Sequence, residues 1–367
     1  ASKGAQGSAE TADRPVAGKS IGMSDAVEHA LRFNPGLGAQ EAESRSSEEG
    51  RKSARGAFGP RLGVSYSATK TESKRDPSAT MGTKNPKMGV YSWGIEVTQP
   101  IFQGFRLLST YQKAALQADS DKASLRKAEL DMTEQVQTAF LEYLKAGENT
   151  RSMRDSLARL REQLRIAQAY FEVGLSPRLD VLQAEVDVSE AERLLIEAEN
   201  TQATTLARLN TLLGFDATAV NTYTGTLKEV GFRYTLEQCL ELAYRQRPDL
   251  YVAQKAVEIA RKSQKEVQSD YYPQIEGYYS MTQSGNTPGM QRSGENGSHV
   301  TNWEVGAQAT WNVFEWGTTY YADKQAGWQV TKMRYEQENL KLEGGYDIKS
   351  KYLAVQEARK RIAVAQN

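Results

Sequence analysis

The sequence predicts a mixed α and β protein built as a tandem repeat, with strands suited to a β-barrel and with long coiled-coil hairpins. Three observations support this fold class. One part of the chain matches another about 213 residues later, each copy contains two strands of alternating polarity, and a long proline-free segment carries heptads. The 46 Lys and Arg residues balance the 46 Asp and Glu residues, which excludes a strongly basic nucleic-acid-binding surface.

The internal repeat keeps its register over long stretches of the chain. Two pairs of segments match at an offset of 213 residues and a third matches at 212: 23–37 with 236–250, 58–67 with 271–280, and 94–102 with 306–314. Because chance rarely preserves register over such distances, we interpret the chain as a tandem duplication.

The duplication sets the predicted domain organisation. We expect a disordered N-terminal tail at residues 1–20, a first repeat at residues 21–214, an inter-repeat linker at residues 215–234 and a second repeat at residues 235–367. By the repeat offset, the last residue of the sequence corresponds to about Asp155. We therefore expect the second repeat to lack the last half of its helical hairpin.

Each repeat is predicted to contain the same elements in the same order. A helix with a proline near its first third comes first, and it ends before Pro60 or Pro273. Two strands of alternating polarity follow, joined by a polar loop at residues 70–89 or 283–301. The apolar faces of the four strands are Leu62, Val64, Tyr66 and Ala68; Tyr91, Trp93, Ile95 and Val97; Ile275, Gly277, Tyr279 and Met281; and Trp303, Val305, Ala307, Ala309 and Trp311. Polar residues on the opposite faces are typical of a membrane barrel with a wet lumen.

Five aromatic residues of these strands are predicted to face the membrane: Tyr66, Trp93, Tyr279, Trp303 and Trp311. The same residues could fill a protein core, but their strict alternation with polar residues favours an aromatic girdle. Apolar runs in the sequence stay far below the ~20 residues of a membrane-spanning helix, so we expect strands to make any crossing.

Residues 104–172 are predicted to form one long helix, because this segment contains no proline. Its second half places apolar residues at the a and d positions of a heptad, and the pattern resumes at Val181 after a turn at residues 173–178. Gly174 suits the left-handed end of the first helix, so an antiparallel hairpin is expected. Such a hairpin is also typical of a spacer or dimerisation rod, but a rod has no use for the tryptophan-bearing strands.

No catalytic residue, metal site or cofactor is expected from the sequence. The chain has one cysteine, Cys239, and two histidines, His29 and His299, and it lacks phosphate-loop, zinc-protease and serine-hydrolase motifs. Its carboxylates occur at helix-surface spacing, which does not favour paired acid and base chemistry. We therefore expect no enzyme activity.

The order of elements and one segment of the hairpin resemble a known family. Residues 170–185, YFEVGLSPRLDVLQAE, are similar to the periplasmic-tip signature of the TolC-like outer-membrane efflux proteins, and the resemblance extends over residues 20–367. It implies a homotrimer in which each chain gives four strands to a twelve-stranded barrel, in contact with outer-membrane lipid. The helices would then form a periplasmic α-helical barrel.

The same resemblance implies a function and partners. The trimer would lie in the Gram-negative outer membrane, extend into the periplasm and act as the exit duct of a tripartite efflux or type I secretion system. Its partners would be a periplasmic adaptor (membrane fusion) protein and an inner-membrane transporter, while the cargo could be drugs, metal ions or polypeptide. The competing hypothesis is a structural or adhesive coiled-coil protein of the cell envelope without a lumen.

Two candidate sites on the hairpin follow from the resemblance. The turn residues Val173, Gly174, Leu175 and Ser176 are predicted to dock the adaptor, although Val173 and Leu175 could instead only staple the turn. Asp180 matches an aspartate that the family uses in polar links holding the inner helices closed, so it is a candidate gate residue. Its alternative role is to stabilise the start of the returning helix.

Overall fold

A computed structural model describes residues 20–72, 87–285, 287–288 and 300–366. Its elements are α1 (Met23–Phe33), α2 (Pro35–Gly56), β1 (Arg61–Glu72), β2 (Lys87–Gln103), α3 (Arg106–Glu172), α4 (Arg178–Leu213), α5 (Leu236–Gln246), α6 (Pro248–Gln268), a 3-10 turn (Ser269–Tyr271), β3 (Gln274–Gly285), β4 (Val300–Thr310) and α7 (Thr318–Gln366). The predicted mixed fold is confirmed, and so is the long helix before the hairpin turn. The predicted disordered tail up to residue 19, most of both polar loops and His299 lie outside the described residues.

The opening helix of each repeat is two helices, so the prediction of a single helix with an internal proline was wrong. The first break lies at Asn34 (φ −70°, ψ 121°) and the second at Arg247 (φ −68°, ψ 117°), each directly before a proline. A proline ring disfavours the helical conformation of the preceding residue, while its own φ suits the first position of a new helix. Each proline therefore ends one helix and begins the next.

The four strands form one antiparallel sheet in the order β1-β2-β3-β4. Tyr66 pairs with Trp93 across β1 and β2, and Tyr279 pairs with Val305 across β3 and β4. The β1–β2 pair and the β3–β4 pair therefore have the same register when their residues are matched by the repeat offsets of 213 and 212. A bulge interrupts the pairing of β2 with β3 between Pro100 and Phe102, where the proline has no N–H to donate.

The chain divides into two compact units. In the first, which contains residues 20–43 and 124–238, α1 packs against the end of α4. The core of this unit includes the buried side chains of Val136, Phe140, Leu209, Leu213 and Tyr223. Further along the hairpin, Leu157 of α3 packs with Val188 and Ala191 of α4, as the heptads predicted.

The second unit contains residues 44–123 and 239–366, and therefore the whole sheet. Among the helices of this unit, the Nζ atom of Lys113 on α3 lies 2.5 Å from the carboxylate of Glu266 on α6. The amides of Gln264 and Gln268 on α6 donate to Asp323 on α7 at 2.9 and 3.0 Å. Polar side chains thus join neighbouring helices here. Among the described residues, no helix has the length and hydropathy of a membrane span.

Candidate functional site

One face of the sheet is apolar and exposed to the surroundings of the single chain. In β1 the side chains of Leu62 and Val64 are 71% and 74% exposed, and in β4 Trp303 is 69% exposed. Facing pairs keep the same character across the sheet, for example Ile95 with Met281. Large apolar side chains with this exposure on a sheet face require an apolar environment, which the described part of the single chain does not supply.

The structure brings four of the five predicted aromatic residues together on this apolar face. Tyr66 lies opposite Trp93, and Trp303 and Tyr279 belong to the same face of β3 and β4. Trp93 is half-buried and donates from its indole nitrogen to Gln283 at 2.8 Å. Trp311 lies just beyond the end of β4, and its indole nitrogen donates to the carbonyl oxygen of Tyr271 at 3.2 Å.

The other face of the sheet is polar. The hydroxyls of Ser67 and Ser92 lie 2.7 Å apart across β1 and β2, and the hydroxyl of Tyr278 donates to Glu304 at 2.5 Å. The Tyr278 ring covers Gly306, where an added Cβ would lie 2.8 Å from the phenolic oxygen. Small and polar side chains therefore leave this face suited to contact with water, as the alternating pattern predicted.

Within the described ranges the sheet has two open edges, because β1 and β4 each pair with only one strand there. Unpaired backbone N–H and C=O groups at such edges form a template for another strand. In lipid they would each cost several kcal/mol if left unpaired. A sheet with one apolar face and two open edges therefore needs further strands to pair with β1 and β4.

The sequence analysis did not predict the backbone corners that follow β2 and β4. Gly104 and Phe105 have φ angles of 57° and 67°, and Trp316 and Gly317 have φ angles of 50° and 82°. Both corners therefore consist of two consecutive left-handed residues, at positions related by the offset of 212. The glycine in each corner was a visible signal, but its order relative to the aromatic residue is reversed between the repeats.

The hairpin turn between α3 and α4 presents apolar side chains without burying them. Val173 is 67% exposed and Leu175 is 74% exposed. Gly174 has a φ of 75°, its amide donates to Phe171, and the amide of Leu175 donates to Tyr170, which together form a Schellman cap. The backbone hydrogen bonds thus hold the turn, while its two large apolar side chains remain available to a partner.

The last tip residue and the gate candidate differ in their surroundings. The Ser176 hydroxyl is buried and has no hydrogen-bond partner among the described residues. Asp180 lies in the first turn of α4 with an exposed side chain, and no hydrogen bond of its carboxylate occurs in the described part of the chain. A negative charge is favourable at this end of a helix.

The residues weighed for metal binding do not come together. No group of three or more His, Cys, Asp or Glu side chains within the described ranges could hold a metal ion. Cys239 is a half-buried free thiol. His29 is partly buried between the rings of Phe33 and Phe215, and it contacts the carbonyl oxygen of Leu213 at 3.0 Å.

Comparison with known proteins supports the resemblance drawn from the sequence. A family model described as "Outer membrane efflux protein" matches residues 26–215 and 239–367. AprF, the alkaline protease secretion protein of Pseudomonas aeruginosa, is 25% identical over 329 residues, which cover 86% of this chain and 66% of AprF. The outer membrane protein TolC of Vibrio cholerae is 25% identical over 312 residues, 83% of this chain and 67% of TolC. This chain thus spans about two thirds of the length of these relatives.

The fold is shared with solved outer-membrane channels. CusC, whose crystal structures concern folding and transmembrane channel formation, matches with a TM-score of 0.78 at 14% identity. The match covers 94% of this chain and 78% of CusC. The predicted fold class and the family resemblance are both confirmed.

Proposed function

Because the chain belongs to the outer membrane efflux protein family, we propose that it forms the exit duct of a tripartite efflux or type I secretion system. It lies in the Gram-negative outer membrane and extends into the periplasm. Substrates pass through it from the periplasm to the exterior, with a periplasmic adaptor and an inner-membrane transporter as partners. Its role is passive transport and not catalysis.

The two-faced sheet with open edges is the observation that carries this proposal. An apolar face suits lipid, and a polar face suits a water-filled lumen. Three copies supply twelve strands, which close the sheet and pair every edge. Trimerisation therefore gives each edge strand, β1 and β4, a second pairing partner.

Conductance and mass measurements on the full-length protein test the proposal. Purified in detergent, the protein is expected to have the mass of a trimer, and in planar bilayers it is expected to conduct ions. A host lacking its own exit duct should regain export when the protein is supplied with its adaptor and transporter. A stable monomer with full strand content, or a trimer that neither conducts nor restores export, would favour the adhesive coiled-coil hypothesis.

The tip residues Val173, Gly174, Leu175 and Ser176 are proposed to dock the adaptor. The exposure of Val173 and Leu175 at a turn that backbone bonds already hold supports this role. Leu175→Asp should abolish export while leaving the amount of trimer unchanged, because it adds a charge without altering the turn. Ile196→Asp is the matched control, since it places the same charge on a 68% exposed apolar side chain of α4 outside the turn. Normal export by Leu175→Asp would contradict the docking role.

Asp180 is proposed to take part in the closed state of the duct. An exposed carboxylate at the start of α4 can accept hydrogen bonds from a neighbouring helix in the trimer, each worth about 0.2–1 kcal/mol. Asp180→Ala should therefore raise single-channel conductance, whereas Glu185→Ala, an exposed carboxylate on the same helix, should not. Unchanged conductance with a lowered melting temperature would leave Asp180 with a role in helix stability only.

A further inference from the structure

A cavity of about 470 Å³ lies between α3 and α6, at the end of the sheet that is joined to the helices. Gln103, the last residue of β2, pairs there with Gln274, the first residue of β3. Phe105, which precedes α3, and Tyr272, which follows α6, line the cavity. The cavity therefore occupies the level at which the strands give way to helices.

The apolar face of the sheet continues into this cavity. Phe102 pairs with Ile275, which belongs to the apolar face, and its ring centroid lies 5.4 Å from that of Phe105 and 6.5 Å from that of Tyr272. Phe105 and Tyr272 are 58% and 47% exposed. Since both rings line the cavity, it is reached from the apolar face and not from the polar one. Aromatic side chains at such a level are typical of a membrane–water interface.

Two lysines of α6 give the cavity a positive charge. Lys262 and Lys265 both line it, together with eight other residues that include no carboxylate. The Nζ atom of Lys262 donates to the neutral side-chain oxygen of Gln112 at 2.7 Å. Lys265 is exposed, and no ion pair of its Nζ atom occurs among the described residues. The cavity therefore contains two cations without a balancing anion.

The carboxylates of the surrounding helices already have partners of their own. Glu266 pairs with Lys113 at 2.5 Å, and Asp270 pairs with Arg106. Asp323 accepts two amide hydrogen bonds from α6 and does not line the cavity. An anionic group that enters the cavity therefore meets the two lysines and displaces no existing ion pair.

We propose that this cavity binds the headgroup phosphate of an anionic phospholipid in the periplasmic leaflet of the outer membrane. The inference rests on the duct proposed above, which places the helical end of the sheet at the periplasmic surface of the membrane. The two ammonium groups donate charge-assisted hydrogen bonds to the phosphate oxygens. The volume lies within the range of small-molecule sites, and basic pockets beside membrane-spanning segments recognise such headgroups.

The apolar wall of the cavity favours a lipid over a free anion. Leu108 is 43% exposed and lines the cavity with Phe105 and Tyr272. A free phosphate ion gains nothing from these side chains, whereas the glycerol and the first methylene groups of a lipid pack against them. The acyl chains then continue along the apolar face past Ile275. Long lysine stems suit such a boundary, because they lie on apolar surface while the charged end reaches polar groups.

Native mass spectrometry of the full-length protein tests the site, with phosphatidylglycerol as the probe added to delipidated trimer. We expect up to one strongly retained lipid for each chain. The double variant Lys262→Gln with Lys265→Gln keeps hydrogen-bond donors but removes both charges, so it should lower the bound fraction at least about tenfold. Lys349→Gln with Lys360→Gln is the matched control, because it removes the same charge from exposed lysines in the far half of α7. Equal retention by the wild type and the cavity variant, or an equal loss in the control, would overturn the site.

Two further probes define the ligand. Phosphatidylcholine carries a positive group beside the same phosphate, so the wild type should retain it less than phosphatidylglycerol. Inorganic phosphate, added at an ionic strength matched with chloride, should not displace bound phosphatidylglycerol. Equal retention of the two lipids would overturn the preference for an anionic lipid, and displacement by inorganic phosphate would identify a site for free anions instead.

A photoreactive side chain tests the site in native membranes. We expect p-benzoylphenylalanine in place of Leu108 to form an adduct with the mass of a phospholipid. The same side chain in place of Leu130, which is 45% exposed about 33 Å further along α3, should form no such adduct. A crosslink from position 108 to another protein chain would show that a neighbouring copy covers the cavity, and it would overturn the proposal.

Mass and conductance separate this inference from the duct on which it rests. A conducting wild-type trimer that retains no phosphatidylglycerol and forms no lipid adduct would contradict only the lipid site. A monomeric wild-type protein would contradict the proposed duct as well.

Discussion

The two repeats have related sequences, yet their second strands end differently. β2 runs from Lys87 to Gln103 and has a neighbour on each side, whereas β4 ends at Thr310 at an open edge. The local sequences resemble each other, with Ile101 and Phe102 inside the end of β2 and the equivalent Val313 and Phe314 after the end of β4. The neighbouring strand, and not the local sequence, therefore determines where each strand ends.

The corners after these strands show the same dependence on a neighbour. In the first repeat Gly104 lies against the backbone of Ser269, which leaves no room for a side chain. In the second repeat Trp316 takes the same left-handed conformation and is 88% exposed. Glycine is required at position 104 because the backbone of Ser269 comes close. Tryptophan is tolerated at position 316 because its side chain is exposed in the single chain.

Alanine at the two corner positions should have very different effects on the stability of the folded protein. Gly104→Ala adds a Cβ that cannot avoid the carbonyl oxygen of Ser269, in a conformation that already costs a side chain about 1–2 kcal/mol. We expect a loss above about 3 kcal/mol in total, since the backbone must also shift. Trp316→Ala keeps the conformation and should change stability by less than about 1 kcal/mol. Denaturant unfolding in detergent, followed by circular dichroism, measures both changes, and equal losses would contradict the comparison.

The breaks before the two prolines form a second matched pair. Asn34 donates to the carbonyl oxygen of Leu212 at 2.8 Å and accepts from the amides of Gly36 and Leu37 at 2.8 and 3.2 Å. It therefore caps α2 and holds the end of α4 at once. At the equivalent break, Arg247 forms an ion pair with Asp249 at 2.6 Å on its own side of the joint and a longer one with Asp347 of α7 at 3.8 Å.

Alanine substitution at the two breaks should separate these roles. Asn34→Ala removes a helix cap and leaves a carbonyl group without its donor, so we expect a loss of about 2–3 kcal/mol. Arg247→Ala removes two partly exposed ion pairs, of which the one with Asp347 is long, and should cost about 1 kcal/mol or less. Asn34→Asp is a useful control because it keeps the cap but cannot donate to Leu212. Both losses are measured by denaturant unfolding. An equal loss for the two alanine variants would show that the hydrogen bond from Asn34 to Leu212 of α4 contributes little to stability.

Much of the fold could be predicted from the sequence because the signals are local. The absence of proline predicted α3, and alternation predicted the apolar face that joins Tyr66, Trp93 and Tyr279. The helix breaks were also encoded locally, at Pro35 and Pro248, but were interpreted as prolines within a helix. Their correct interpretation needed only the effect of proline on the residue before it.

The remaining features depend on distant parts of the chain or on other molecules. The bulge at Ile101 and the corner at Gly104 are defined by β3 and Ser269, which lie more than 160 residues away in sequence. No local pattern reports such an approach. The tip and Asp180 are exposed in the single chain, so their roles stay predictions that depend on partners. Exposure alone identifies them as available, and only binding or conductance measurements assign their function.

The smallest expected effect concerns the pH dependence of the first repeat. His29 lies between Phe33 and Phe215, and burial lowers its pKa below the ordinary value of 6.5, assisted by the charge of Arg32. The hydrogen bond with the carbonyl oxygen of Leu213 acts in the opposite direction and does not outweigh burial. The equivalent residue of the second repeat is Leu242, which does not titrate.

Since the pKa of His29 is lower in the folded state, the unfolded chain binds the proton first as the pH falls. The stabilising contribution is therefore complete above pH 6.5 and declines as the pH drops towards the folded-state pKa. His29→Gln keeps a donor for Leu213 but removes the titration, so its melting temperature should fall less than that of the wild type between about pH 7.5 and 5.5. Introducing the residue of the other repeat, His29→Leu, should flatten the same profile while lowering stability at every pH, because the bond to Leu213 is lost. Identical profiles for wild type and His29→Gln would show that the pKa of His29 does not differ between the folded and unfolded states.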